Sequence, residues 1–180
     1  IDIDIKGRAL YKNRLMMLDL IANNNWKRPI YFSGGAYDDE DFLWMKNYLQ
    51  LDGMTYKLVP IKTEIPKDAS PLEMGGIDTD KMYANVMKWD WGNSESLSIY
   101  HDPETRKNSI TYRSYLSRLM NQLILEGKKE KAKNIITLAM NKMPLEQFGY
   151  YSLLEPFAKG YYDLGENAKA QDLLSKLILK

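Results

Sequence analysis

The chain has no cysteine and a single histidine, His101. The first absence excludes disulfides, thiolate nucleophiles and sulfur-ligated zinc. The second excludes a multi-histidine metal site and a two-histidine acid–base pair. Nor is there a charge excess of either sign, with 25 Lys plus Arg against 24 Asp plus Glu. A nucleic-acid partner usually requires basic residues in surplus to neutralise phosphates, so none is expected. Long apolar runs are missing too. Leu15-Met16-Met17-Leu18 is stopped by Asp19, far short of the ~20 residues that span a bilayer, and no direct membrane insertion or signal peptide is expected.

What remains is the composition of an ordinary globular protein, 44% hydrophobic and 27% charged over 180 residues. The opening Ile1-Asp2-Ile3-Asp4-Ile5 starts without methionine inside an alternating pattern, and predicts a piece of something longer. The expected fold is mixed α/β and mostly helical. Tyr11, Leu15, Leu18 and Ala22, with Leu10, Met17 and Ile21, predict a helix ended by Asn23-Asn24-Asn25. Pro29 to Phe32 reads as a strand and Ser33-Gly34-Gly35 as a turn. Asp38 to Leu49 reads as a helix stopped at Asp52-Gly53, and Met54 to Ile61 as a second strand. This helix-strand-helix-strand unit predicts parallel strands with a right-handed crossover, and a further strand, Ile1–Ile5, beside them. The expected organisation is a small α/β unit over 1–76, a connecting helix and loop over 77–109, and helical hairpins over 110–180 packed on the first unit as one body.

The C-terminal third is the most informative. Gly127, Ala132, Ala139 and Pro144 are followed 38 residues later by Gly165 and Ala170, at the same separation of 5. A glycine that turns left-handed and a small residue at a helix crossing are what a helical hairpin needs. Leu116, Leu119, Leu123 and Ile136, then Leu154, Phe157, Tyr161 and Leu174, supply the large apolar partners. The pattern resembles the tetratricopeptide repeat, with two departures. Leu177 stands where a small residue is expected, and the period exceeds the usual ~34 through about four extra residues near Leu145 to Gly149.

Three further strings carry a second resemblance. They are Asn25-Trp26-Lys27-Arg28-Pro29-Ile30-Tyr31-Phe32, then Tyr48 to Gly53 with Tyr56 to Lys62, then Met87-Lys88-Trp89-Asp90-Trp91-Gly92-Asn93. In this order, ahead of tetratricopeptide-like hairpins, they resemble the soluble C-terminal region of bacterial multi-spanning membrane proteins similar to the protein O-mannosyltransferases. The resemblance implies a parent that uses a lipid-linked sugar in its membrane domain. It also implies catalytic carboxylates outside this chain, and a tail on the periplasmic side of the inner membrane, tethered through spans outside the sequence given.

Candidate chemistry is sparse. Ser33-Gly34-Gly35 has the glycines of a phosphate cradle, but Asp38, Asp39, Glu40 and Asp41 follow and would repel phosphate, so it reads as a turn and cap. That acidic cluster lacks the spacing of a calcium loop and reads as a solvated helix start. His101-Asp102-Pro103 reads as a helix N-terminus rather than a catalytic pair. No catalytic residue, metal or cofactor is expected. Trp89 and Trp91 are the alternative sugar platform, although on a helix end they should point apart, one into the core. Carried over from the repeat family, the inner-face positions are Ser114, Ser117, Asn121, Ser152, Glu155, Lys159 and Tyr162. Of these, Ser117, Asn121, Glu155, Lys159 and Tyr162 are the candidate binding residues for a protein or peptide, or for the membrane domain of the same chain. Glu155 and Lys159, four apart, also fit a mutual ion pair that would leave the groove inert. The expected function is a non-catalytic accessory domain of a membrane glycosyltransferase, binding or positioning an acceptor protein or the enzyme's own loops. The alternative is a stand-alone helical scaffold.

Overall fold

A computed structural model describes residues 1, 3, 5, 9–33, 44–65 and 74–178. It is mixed α/β and mostly helical, and it divides into two compact units, Ile1–Asp78 and Thr79–Lys180. Each is taken by itself.

The first unit holds helix α1 (Lys12–Asn23) and a four-stranded sheet. The strands are β1 (Tyr31–Ser33), β2 (Leu49–Asp52), β3 (Thr55–Leu58) and β4 (Gly76–Ile77), in the order β1-β3-β2-β4. Contrary to the parallel crossover read from the sequence, β1 runs antiparallel to β3, with Phe32 opposite Tyr56. Only β4 lies parallel, beside β2. The misreading came from Asp52-Gly53, taken as a helix stop. Gly53, at φ +67°, instead opens a two-residue hairpin turn that sets Asp52 opposite Thr55. Leu49 and Leu51, expected as the end of a helix, therefore alternate with period two alongside Tyr56 and Leu58. These four side chains join Met45, Tyr48 and Met74 in the core. The helix expected from Asp38 lies mostly outside the described residues, which skip 34–43. The extra strand is Gly76–Ile77, and the described positions of Ile1–Ile5 carry none. A side chain at Gly75 would put its Cβ 2.1 Å from the Leu49 carbonyl oxygen, so β4 can approach β2 only through a glycine.

The second unit begins with α2 (Thr79–Val86), which buries Thr79, Met82 and Val86 on one face. Two helical hairpins follow. The first pairs α3 (Pro103–Leu125) with α4 (Lys129–Lys142). A short helix α5 (Leu145–Phe148) and a 3-10 turn (Tyr151–Leu154) then lead to α6 (Glu155–Asp163) and α7 (Asn167–Ile178), the second pair. Asp102 caps α3 as expected, accepting from the Glu104 and Thr105 amides at 2.9 and 3.1 Å, with Pro103 behind it.

The two turns are built alike. Gly127 and Gly165 take φ +74° and +79°. The Lys128 amide donates to Leu123 and the Glu166 amide to Tyr161, both at 2.8 Å, which is one capping bond repeated 38 residues on. Ala132 and Ala170 are wholly buried. Leu116, Leu119, Leu123, Ile136, Leu154 and Phe157 fill the core as the spacing predicts, while Leu173 takes the buried place expected for Leu174. A contact the sequence did not announce is Gly160. A Cβ there would lie 2.5 Å from the Met120 sulfur and 3.3 Å from Ile136 Cδ1, so α6 meets α3 and α4 at bare backbone.

Two outcomes test these arrangements. Replacing Ala132 or Ala170 with Leu should overpack the hairpin and lower unfolding stability by ~1–3 kcal/mol in urea titrations of the whole chain. The second concerns acid. Asp80 in α2 accepts from Lys128 at 2.8 Å and Lys131 at 2.6 Å, and these bonds hold its carboxyl down to about 2. The folded state thus favours the carboxylate, so the tie is intact above the ~3.9 of an unfolded aspartate and fades as pH falls towards about 2. Asp80→Asn should flatten the acid limb of the stability profile across that window. An unchanged limb would show the tie to be inert.

Candidate functional site

The helical unit carries every described binding residue named from the sequence. Asn121 stands exposed near the end of α3, and Glu155, Lys159 and Tyr162 stand exposed along α6, with Ser152 just before it. Their spacing of three and four places them along one face of α6. Tyr162 keeps 42% of its surface open, a large amphipathic ring left to solvent. Lys159 pairs with Asp163 at 2.6 Å, so its cation is held by a carboxylate one turn on rather than by Glu155. Such an exposed pair holds the side chain only loosely. Ser117 stands apart from this row. It is buried, and its hydroxyl donates to the Ser114 carbonyl at 2.8 Å within the same helix. Its position on the first helix is as expected, but the side chain turns inward because Leu116, Leu119 and Met120 draw that face into the core.

A cavity of about 200 Å³ opens between α4, α5, α6 and α7. Met140, Met143, Leu145 and Leu173 line it, with Tyr161 as one wall. The Tyr161 phenol is pushed above its ordinary value, first by burial and then by the Glu166 charge, while Lys169 and Lys176 oppose the shift. The extra residues of the lengthened repeat build α5, and α5 borders the cavity.

The bridge between hairpins hangs on Arg113. This side chain is wholly buried in α3 and donates to the Met143 carbonyl at 2.8 Å and the Gly149 carbonyl at 2.5 Å. Met143 caps the C-terminus of α4 and Gly149 that of α5, so one guanidinium closes two helix ends where the dipoles favour a cation. Burial pulls its pKa down to about 10. Sequence inspection gave no hint of this, since arginine within a helix reads as a surface residue.

Trp89 and Trp91 lie beyond the end of α2, in irregular backbone, and there they do not point apart. Their ring centroids are 5.7 Å from each other and 5.6 and 5.5 Å from Tyr112. The three tilted rings use faces and edges on one another, which pins the segment to α3. In extended chain, residues two apart fall on the same side, and the expected divergence assumed a helix. The Trp91 indole nitrogen is buried without a hydrogen-bond partner. His101 bonds the Ser94 carbonyl through Nε2 at 3.0 Å and stacks 4.6 Å from Phe148, a structural place. In the first unit, Ser33 closes β1 opposite Thr55, and Asp38, Asp39, Glu40 and Asp41 lie outside the described residues. Among the described residues no group of three or more His, Asp or Glu side chains is placed to hold a metal ion, and no helix is long and apolar enough to cross a membrane.

Residues 1–81 match the family described as TMEM260-associated domain 2. No curated protein and no solved structure matches the chain.

Arg113→Met keeps the side-chain volume and removes both donors. It should lower stability by about 2–4 kcal/mol, because two buried carbonyls lose their partners. Arg113→Lys should recover only part of that, since a single ammonium cannot serve both carbonyls in the same fork. Chemical denaturation followed by helical circular dichroism checks both. Wild-type stability in the Met variant would mean that water replaces the guanidinium.

Proposed function

We propose that this chain is a non-catalytic accessory domain of a membrane-embedded, TMEM260-like glycosyltransferase resembling the protein O-mannosyltransferases. In this reading the domain stands on the periplasmic side of the inner membrane. Its hairpins, arranged like tetratricopeptide repeats, hold an acceptor polypeptide or a loop of the parent enzyme. The chemistry, with its lipid-linked sugar, belongs to the membrane part.

The observation that carries the reading is the exposed polar row Asn121, Glu155, Lys159 and Tyr162 on a pair of rigidly repeated hairpins. It is supported by the family match over residues 1–81, which associates the first unit with a membrane-protein family. A stiff helical face offering alternating donors, acceptors and one aromatic ring suits an extended polypeptide, because binding then requires no rearrangement of the scaffold. Lys159 and Tyr162 are the anchors. The lysine is held only by an exposed pair, and tyrosine contributes large contact area with few rotors to freeze.

Amide-shift mapping or crosslinking with a candidate acceptor polypeptide tests this. Lys159→Glu and Tyr162→Ala should each weaken binding about tenfold, equivalent to ~1.4 kcal/mol, with shifts concentrated on α6 and the end of α3. Unchanged binding in both variants would sink the groove and direct attention to Trp89 and Trp91.

A further inference from the structure

The first helix has two apolar faces, and the fold uses only one. Arg14, Met17, Leu18 and Ile21, at positions i, i+3, i+4 and i+7, form the half-buried face, with the Arg14 guanidinium 5.0 Å above the Trp44 ring. Leu15, Met16 and Leu20 stand on the other side with 52, 58 and 67% of their surfaces open, while Tyr11, at the N-cap and 64% open, lies 5.5 Å under the Arg14 guanidinium. No residue of α1 is fully buried. The sequence reading put Tyr11 and Leu15 on the inner stripe. Apolar residues all round the helix made either face a valid choice. Nine large apolar side chains stand exposed within the first thirty-one positions, against eight in all the other described residues, so the apolar surface is concentrated here.

Charge is concentrated in the same stretch of sequence. Between residues 5 and 28 the sequence has six cations, Lys6, Arg8, Lys12, Arg14, Lys27 and Arg28, and one anion, Asp19. The remainder of this nearly neutral chain is therefore acidic. After α1 the backbone makes an unusual turn, with Asn25 and Trp26 both left-handed at φ +48° and +57°. Two consecutive non-glycine residues in that region carry strain. The turn leaves Trp26 half exposed, next to exposed Lys27 and Arg28.

We propose that the outer face of α1, with Trp26, Lys27 and Arg28, is a docking surface for the headgroup layer of an anionic bilayer. Exposed Leu and Met on a short helix, an exposed Trp at its end and a local positive excess are together what an interfacial helix presents to acidic lipid. At 12 residues α1 is about 18 Å long, too short to cross the ~30 Å hydrocarbon layer, so it lies on the surface. Among the described residues of this stretch the exposed charges are Lys12, Lys27 and Arg28 against Asp19 alone, so the face favours a partner that carries negative charge. Phosphate-bearing lipid is such a partner. The inference stands apart from the hairpin groove, and either can fail without the other.

The test is co-sedimentation of the whole chain with vesicles of phosphatidylcholine alone, or with about a third phosphatidylglycerol. Binding should appear only with the anionic lipid and fall steeply between about 0.05 and 0.5 M salt. The double variant Met16→Gln, Leu20→Gln, which alters exposed positions only, should lose binding at least about tenfold, as should Lys27→Glu with Arg28→Glu. Brominated lipid should quench part of the tryptophan emission, and Trp26→Phe should abolish that part. Failure of the wild type to sediment with anionic vesicles would overturn the proposal. So would undiminished binding in both double variants. A concentration-dependent dimer that dissolves with Met16→Gln, Leu20→Gln, in a chain that ignores vesicles, would assign the face to a second copy instead.

Discussion

A single buried cation decides how the helical unit holds together. Arg113 sits deep in α3, facing no carboxylate but the backbone carbonyls of Met143 and Gly149. Removing a guanidinium from water is costly, and hydrogen bonds to charged groups are among the few interactions strong enough to offset much of that. Here the geometry goes further. The two carbonyls belong to the ends of successive helices, where the peptide dipoles already concentrate negative potential. The connector between hairpins is thus tied to the first helix of the first hairpin. Much depends on that tie: the placement of α5, the border of the cavity, and the start of α6 with its exposed polar row. At Tyr150 the chain turns left-handed at φ +52°, a conformation that a fixed carbonyl on the preceding residue helps to hold.

The legibility of this fold followed the kind of signal each element carries. The hairpins were readable because a glycine turn and a small residue five places on are steric requirements, and both recur at 38 residues with the same capping bonds. The cap at Asp102 was readable for a similar local reason. The sheet was not. Asp52-Gly53 serves equally as a helix end and as a hairpin, and only the pairing of Leu49 and Leu51 with Leu58 and Tyr56 distinguishes them. Pairing is a long-range fact that local periodicity does not contain. The inner face of α1 was ambiguous for a related reason, since a helix apolar on both sides gives no preferred stripe.

The candidate site was legible in position and less so in detail. Family spacing located Asn121, Glu155, Lys159 and Tyr162 on exposed faces, but it put Ser117 among them, although that hydroxyl closes on its own helix. It gave no warning of Asp163 as the partner of Lys159, nor of the cavity beside Tyr161. Side-chain direction near a helix contact depends on what the neighbouring helix needs, and in α3 the need for apolar packing won. The tryptophans show the converse. Trp89 and Trp91 converge because the backbone there is not helical, and Tyr112 completes the cluster.

The bare contact at Gly160 turns one methionine into a clock. Met120 is wholly buried, and its sulfur lies where even a methyl group on Gly160 would intrude. A sulfoxide oxygen would need room that the closed packing lacks, and peroxide could not reach the sulfur while the second hairpin is seated. Oxidation of Met120 must therefore wait for the hairpins to part. The rate at which that one sulfur gains 16 Da, set against the rate at exposed Met16 in the same molecule, measures how often the repeat pair opens.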